Sequence, residues 1–294
     1  MNIVVFGAGS LGSLVGGLLA REHHVTLVGR DPHIEAVDDS GLHVSGVFDF
    51  TVYPNAHTTA PDRADLALVT VKSFDTETAA RALAGCDLRF TCSLQNGLGN
   101  EEILASHLDT VLAGTCTYGA RLDGPGRVRC TGIGEITLGA PDGGHSEPAE
   151  RVGRAFRAAG IETTVTDEMP RQQWNKLAIN AGINPTTALA RVENGALRDD
   201  PLKTVATEAA RETARVARKQ GIDLSEKEAI AALESVIDVT AENTSSMLQD
   251  VQNGNRTEID AINGAVVERA AKPVPVNRML TVLVRAWERE NISE

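Results

Sequence analysis

A chain of 294 residues has room for one large domain or two ordinary ones, each able to bury its own core. Hydrophobic residues make up 42% of it, yet no apolar run approaches the ~20 residues that a membrane span needs. The formal charge of -12 disfavours a nucleic-acid partner, which selects basic surfaces, but leaves room for an anionic small molecule in a local basic pocket. The carboxylate excess fits either an ordinary solubility charge or a salt-rich cytoplasm. An apolar strand begins within two residues of Met1, so a secretory leader is not expected. Cys86, Cys92, Cys116 and Cys130 have neither metal-ligand nor disulfide-framework spacing, so the cytoplasm is the expected compartment and no metal is called for.

In chain order, short apolar strands are predicted at 2–6, 24–28, 66–71, 89–93 and 110–116, with helices near 10–22, 74–84 and 99–107. Such alternation predicts a mostly parallel α/β sheet. Segments 127–131 and 134–139, joined by a turn containing Gly132, are expected to pair as an antiparallel hairpin at the sheet edge. A helix near 147–159 and a strand near 161–166 complete this half. Beyond it the chain is rich in Ala, Glu, Arg and Leu at a helical period, interrupted at Pro185, Pro201, Gly221, Gly254 and the KPVPVN stretch. The expectation is a Rossmann-type α/β domain over 1–166 followed by an all-α domain over 167–294. Ligands of open α/β sheets bind outside the carboxyl ends of the strands, which puts the expected active site in a cleft between the halves.

The run GAGSLG, comprising Gly7, Ala8, Gly9, Ser10, Leu11 and Gly12, follows the first strand and opens the first helix. Gly7 suits a tight turn, Gly9 lets backbone approach a pyrophosphate, and Gly12 lets helix and strand pack closely. The helix N-terminus then offers N–H groups to phosphate. Three glycines alone can be turn punctuation, but the strand–loop–helix context makes dinucleotide binding the expectation. After the second strand, where an acidic residue would hold a ribose 2′-hydroxyl, stands Gly29-Arg30-Asp31. The guanidinium fork of Arg30 suits a 2′-phosphate and favours NADPH. NADH stays open through Asp31, as does stacking of Arg30 on adenine. Lys72, read as the end of the third strand, either adds positive charge near the cofactor phosphate or is an exposed loop lysine. Asn96, in Gln95-Asn96-Gly97, is either a turn residue or a donor to the nicotinamide ribose or the reacting carbonyl.

In the second half, WNKLAINAGINP places Lys176, Asn180 and Asn184 four residues apart, on one face of a helix. Asparagine is a mediocre helix former, so this face belongs either to a ligand or tertiary partner or to a hydrated stripe. In NTSSMLQDVQNGNRTEIDAINGAV, Ser246 and Glu258 pose a similar alternative. Either they bind a substrate, or they are an N-cap serine and a first-turn glutamate.

With GAGSLG, VKSFDT at 71–76, LQNGLGNEE at 94–102, WNKLAINAGINP at 174–185 and SSMLQD followed by RTEIDAINGAV in this order, the chain resembles the ketopantoate reductase (2-dehydropantoate 2-reductase) family from end to end. The resemblance implies a Rossmann domain followed by a helical one, and NADPH-dependent reduction of ketopantoate to (R)-pantoate in pantothenate and coenzyme A synthesis. It implies that Lys176 is the general acid that protonates the ketone oxygen, and that Glu258 binds the substrate hydroxyl. Asn180, Asn184, Ser246 and, less specifically, Asn194 fall on substrate-binding positions. Asn96 falls beside cofactor and catalytic centre, and Arg30 and Lys72 on positions that face the 2′-phosphate. A homodimer is also expected from this architecture. The rival readings are a reductase of another 2-keto acid or branched ketone, and a non-catalytic NADPH sensor on the same fold.

Overall fold

The computed structural model describes residues 1–292. The chain divides into two units, Met1–Gln95 with Asn100–Met169, and Asn96–Gly99 with the chain from Pro170 onward. The first unit runs β1 (Asn2–Phe6), α1 (Ser10–Leu19), β2 (His24–Val28), α2 (His33–Ser40), β3 (Leu42–Gly46), β4 (Phe50–Val52), β5 (Asn55–His57) and β6 (Arg63–Val69). It continues with α3 (Thr76–Leu83), β7 (Asp87–Ser93), α4 (Asn100–Ala105), β8 (Val111–Cys116), β9 (Gly119–Gly124), β10 (Arg127–Gly132), β11 (Ile136–Gly139), α5 (Glu147–Ala158) and β12 (Thr163–Val165).

Eight strands form a sheet in the order β12-β11-β8-β7-β6-β1-β2-β5. β11 runs antiparallel to β8, and the other neighbours are parallel. The middle of β1 and the second half of β6 are continuous apolar, buried runs because both faces are covered there. Ile3 and Val5 point into a core shared with Leu14 and Leu18 of α1, while Val4 points into one shared with Ala79, Ala80 and Leu83 of α3. The order reverses at β1, whose neighbours are β2 and β6. That is the switch point at which open sheets of this kind receive ligands, and the loop of Gly7 to Gly12 follows β1 directly.

A second sheet, ordered β4-β3-β10-β9, covers the other side of α1. The helix is buried nearly all round, and Gly16 and Gly17 make this fit: a Cβ on Gly16 would lie 2.6 Å from Leu27, and one on Gly17 would lie 2.9 Å from Val44.

This sheet corrects the expected hairpin. β10 pairs antiparallel with β9 and parallel with β3, whereas β11 joins the large sheet between β8 and β12. The turn after Gly132 therefore carries the chain from one sheet to the other. A simple alternation of buried and exposed residues in β10 reads the same in either sheet, so its partner is invisible locally.

The second unit is helical: α6 (Met169–Ala190), α7 (Leu202–Lys219), α8 (Glu226–Val239), α9 (Ser246–Gln252), α10 (Ala265–Arg269) and α11 (Pro275–Asn291). A 3₁₀ turn at Asn194–Arg198 and a π-helical turn at Asp260–Gly264 complete it. α6 is its central helix, with residues 181–188 buried on every side. Contrary to expectation, Pro185 does not interrupt the helix but lies inside it. Proline lacks the N–H that would bond to the carbonyl of Ala181, and that carbonyl instead accepts a hydrogen bond from Asn263 Nδ2 at 3.0 Å. Among the described residues no helix is long and apolar enough to cross a membrane.

Candidate active site

In the first unit, the glycine loop separates structural from ligand-facing positions. Gly7 adopts a φ of 112°, and a Cβ there would sit 2.6 Å from the backbone N of Val71. A Cβ on Gly12 would lie 2.2 Å from the carbonyl oxygen of Gly7. Packing therefore demands both glycines. Gly9 is different: it is exposed, and the nearest atom to a Cβ there is 4.0 Å away. Nothing in the protein forbids a side chain at Gly9, so its bareness fits a ligand backbone approaching the loop. Gly9 caps α1 without a side-chain hydrogen bond, and the first turn carries no acidic residue. The amides of Ser10, Leu11 and Gly12 thus form an end suited to a pyrophosphate.

The loop is held from several sides. Gly7 and Ala8 donate backbone N–H to the carbonyl of Val28, Thr70 Oγ1 donates to the carbonyl of Gly7 at 2.9 Å, and Leu122 N donates to Ser10 Oγ at 3.2 Å. Ser13 Oγ donates to the Ala8 carbonyl at 3.2 Å and lies 3.0 Å from His33 Nε2. Arg30 and Asp31 stand exposed just beyond β2. Lys72 requires a correction: β6 ends at Val69, so Lys72 does not end the strand but heads the 3₁₀ turn Ser73–Asp75, its carbonyl accepting from Asp75 N at 2.8 Å. Gln95, the neighbour of Asn96 and given no role by the sequence, ties the loops after β6 and β7 together. It is buried, and its Nε2 donates to the Val71 carbonyl at 3.1 Å and to Thr76 Oγ1 at 2.8 Å.

In the second unit, Lys176 and Asn180 are half-buried on α6, while Asn184 is buried. Ser245, not Ser246, caps α9: its Oγ accepts from Leu248 N at 3.2 Å. Ser245 Oγ also lies 2.7 Å from Thr187 Oγ1, which donates to the Ile183 carbonyl at 2.8 Å, so the serine hydroxyl is the donor to Thr187. This bond fastens the start of α9 to α6. Ser246 follows in an exposed position, its Oγ 3.5 Å from Asn184 Nδ2. The capping alternative for Ser246 is thereby removed.

Glu258 lies before the π-helical turn, its carbonyl accepting from Ala261 N and Ile262 N at 3.1 Å. Its side chain is only 5% exposed, and Oε2 accepts from Asn96 Nδ2 at 3.1 Å. Two residues 162 apart in sequence are thus brought together, and Asn96 is more than a turn residue. Asn194 is used internally: its backbone N donates to the Asn243 carbonyl at 3.0 Å, and its Nδ2 donates to Thr240 Oγ1 at 2.9 Å. Its buried Oδ1 has no partner among the described residues.

A phosphate-ready loop at the switch point of a parallel sheet, joined in one chain to a helical unit rich in polar side chains, is the organisation of a dinucleotide-dependent oxidoreductase. Comparison with known proteins makes this specific. Residues 3–143 match the family model "Ketopantoate reductase PanE/ApbA", and residues 168–288 match its C-terminal counterpart. The chain is 45% identical over 304 residues to a 2-dehydropantoate 2-reductase of Halobacterium salinarum, covering 99% of this chain and 100% of the relative. Identity to one from Archaeoglobus fulgidus is 42%, with 98% of each covered. A crystal structure of a PanE/ApbA family ketopantoate reductase from Ralstonia eutropha superposes with a TM-score of 0.89 at 32% identity, covering 99% of each chain. A D-mandelate dehydrogenase solved with NADH and anilino(oxo)acetate superposes at 0.93 with 25% identity, covering 100% of each chain. The chain belongs to the ketopantoate reductase family, whose members use a nicotinamide dinucleotide.

Proposed function

We propose that this chain is a 2-dehydropantoate 2-reductase that reduces ketopantoate to (R)-pantoate, with NADPH as preferred cofactor. The full-length relatives at 42% and 45% identity support the reaction. The observation that carries the site is the convergence on α6, where Ser246 is brought to Asn184 across 62 residues of sequence, on the helix that also bears Lys176 and Asn180.

In this reading Gly7, Ala8, Gly9, Ser10, Leu11 and Gly12 hold the pyrophosphate, Arg30 and Lys72 favour a 2′-phosphate, and Asn96 lies near the nicotinamide ribose. A nicotinamide cofactor held by these residues would supply the hydride for the ketone carbon. Negative charge then develops on the ketone oxygen, and Lys176 stabilises it electrostatically and delivers a proton from Nζ. Asn180, Asn184 and Ser246 hold the polar groups of the substrate, with Asn194 as a further candidate. Glu258 accepts from the substrate hydroxyl while Asn96 fixes the orientation of its carboxylate. The 1–166 segment thus serves the cofactor and 167–294 the substrate, in a cytoplasmic homodimer.

The test is loss of near-ultraviolet nicotinamide absorbance with ketopantoate, measured with NADPH and NADH at equal concentration. Turnover with NADPH ahead of NADH is expected, and no turnover with either would sink the reading. Lys176→Ala should lower kcat by roughly 10²- to 10⁴-fold with little change in NADPH affinity. Equal losses in both would remove the proton-donor role. The structural likeness to D-mandelate dehydrogenase favours one second reading, a different 2-keto acid as substrate. A panel of keto acids ranked by kcat/KM decides between them.

A further inference from the structure

The segment RTEIDAINGAV contains two buried polar residues to which the proposed reaction gives no task, Thr257, whose hydroxyl donates to Glu288, and Asn263. Asn263, on the π-helical turn, is fully buried. Its Nδ2 makes two donations, to the Ala181 carbonyl at 3.0 Å and to Asn277 Oδ1 at 2.9 Å. Asn277 Nδ2 in turn donates to the Ala209 carbonyl at 3.0 Å and to Glu212 Oε2 at 2.9 Å. Each amide nitrogen therefore faces two acceptors, which fixes the orientation of both side chains. Glu212 anchors the far end: its carboxylate accepts from the backbone N of Val276 and of Asn277, at 3.1 and 2.9 Å, at the start of α11.

Two features separate this chain of bonds from ordinary core filling. Asn263 Oδ1 is buried without a hydrogen-bond partner among the described residues, a cost that an apolar side chain would not incur. The carbonyl that Asn263 serves lacks its intrahelical donor because Pro185 stands inside α6. The freed carbonyl is thus satisfied from a second element by Asn263 Nδ2, while Asn263 Oδ1 stays unpaired. Ala181 lies next to Asn180 and one turn before Pro185, on the helix that carries Lys176 and Asn184. Asn263 lies five residues after Glu258. The same turn is gripped on its other side by Leu98 N, which donates to the Ala261 carbonyl at 3.2 Å beside Asn96.

We propose that Asn263 is a positioning residue for the reaction: through the carbonyl freed by Pro185 it sets the offset between the helix bearing Lys176 and the turn bearing Glu258. It touches neither substrate nor cofactor. The inference rests on the proposed roles of Lys176 and Glu258. A π-helical turn, with its wider backbone, is a recurrent way to aim a functional side chain, and here it aims Asn263 at a specific carbonyl. An offset error of about 1 Å between catalytic groups costs on the order of 10²-fold in rate.

The experiment uses the full-length chain with Asn263→Ala, Pro185→Ala, the double variant and Lys176→Ala, reading kcat, KM for ketopantoate, NADPH affinity and Tm. Asn263→Ala should lower kcat between about 10- and 100-fold with NADPH affinity unchanged. Pro185→Ala gives Ala181 an intrahelical donor and relieves a helix-breaking residue, so Tm should hold or rise while kcat falls. A purely structural role predicts the opposite, with Tm and kcat moving together. The double variant should be no slower than the slower single one, because both changes act on one carbonyl. If Asn263→Ala does not fold, Pro185→Ala decides alone. A kcat within about twofold of the parent in Pro185→Ala, or independent multiplication of the two effects, overturns the proposal. If Lys176→Ala leaves kcat intact, the site reading itself fails. If it abolishes turnover while the Pro185 and Asn263 variants do not, only this inference fails.

Discussion

His33 has only one neutral tautomer that serves both of its neighbours. Gly126 N–H donates to Nδ1 at 3.2 Å, so the ring hydrogen sits on Nε2 and goes to Ser13 Oγ at 3.0 Å. The Ser13 hydroxyl then donates to the Ala8 carbonyl in the dinucleotide loop. A protonated ring would set N–H against the Gly126 N–H. Burial also pushes the His33 pKa below its ordinary 6.5, so the folded chain binds fewer protons than the unfolded one in the window beneath that value. Stability from this source is complete above about 6.5 and falls as pH drops toward the lower folded value. Thermal unfolding followed between about pH 7.5 and pH 5 should show Tm falling on the acid side, with a shallower slope for His33→Gln. Parallel slopes for the two proteins would remove His33 as a source. None of this was legible in the sequence, where His33 is an unremarkable residue near an Asp-Pro pair and its partner Gly126 lies 93 positions away.

At the scale of elements, the two adjacent serines at the start of α9 divide the work of anchoring and binding. Ser245 both caps the helix and bonds to Thr187 on α6. Replacing it by Ala should cost about 1 kcal/mol for the cap, and somewhat more for the buried contact to Thr187. Ser246→Ala should leave Tm unchanged and raise KM for ketopantoate. Calorimetry and kinetics on both variants would refute this division if Ser246→Ala proved the destabilising one. Sequence spacing could not tell the two hydroxyls apart, since either fits an N-cap. Apolar strands such as β1 and β8 were legible because burial on both faces writes itself into composition. The three-residue strands β4 and β5 are too short to show a period, and β9, with Gly at both ends, resembles a loop. The α6 row was visible as a pattern, but the continuation of the helix through Pro185 depends on a donor 82 residues from the carbonyl it serves. Long-range compensation of this kind leaves no local mark.

For the whole molecule, the charge of -12 makes a prediction that the individual ion pairs oppose. Many of the surface pairs, such as Arg198–Asp238 at 2.9 Å and Lys203–Glu234 at 3.0 Å, are well exposed. Such pairs contribute about 0–1 kcal/mol each and weaken with salt. The excess of carboxylates acts over longer distances, with 40 acidic against 28 basic residues, and long-range repulsion is screened first. The Debye length falls from about 10 Å at 0.1 M to about 3 Å at 1 M, a contraction that removes repulsion between separated carboxylates while leaving contact pairs near 3 Å partly intact. Salt should therefore raise Tm between about 0.05 and about 1 M KCl, with the rise flattening as the Debye length approaches contact distance. The same screening should favour association of two like-charged copies, so sedimentation across the series should show the proposed dimer of the 31.2 kDa chain tightening with salt. A Tm that falls across the series would mean that the ion pairs outweigh the net charge. In that case the acidic composition would be ordinary solubility charge with no bearing on salt tolerance.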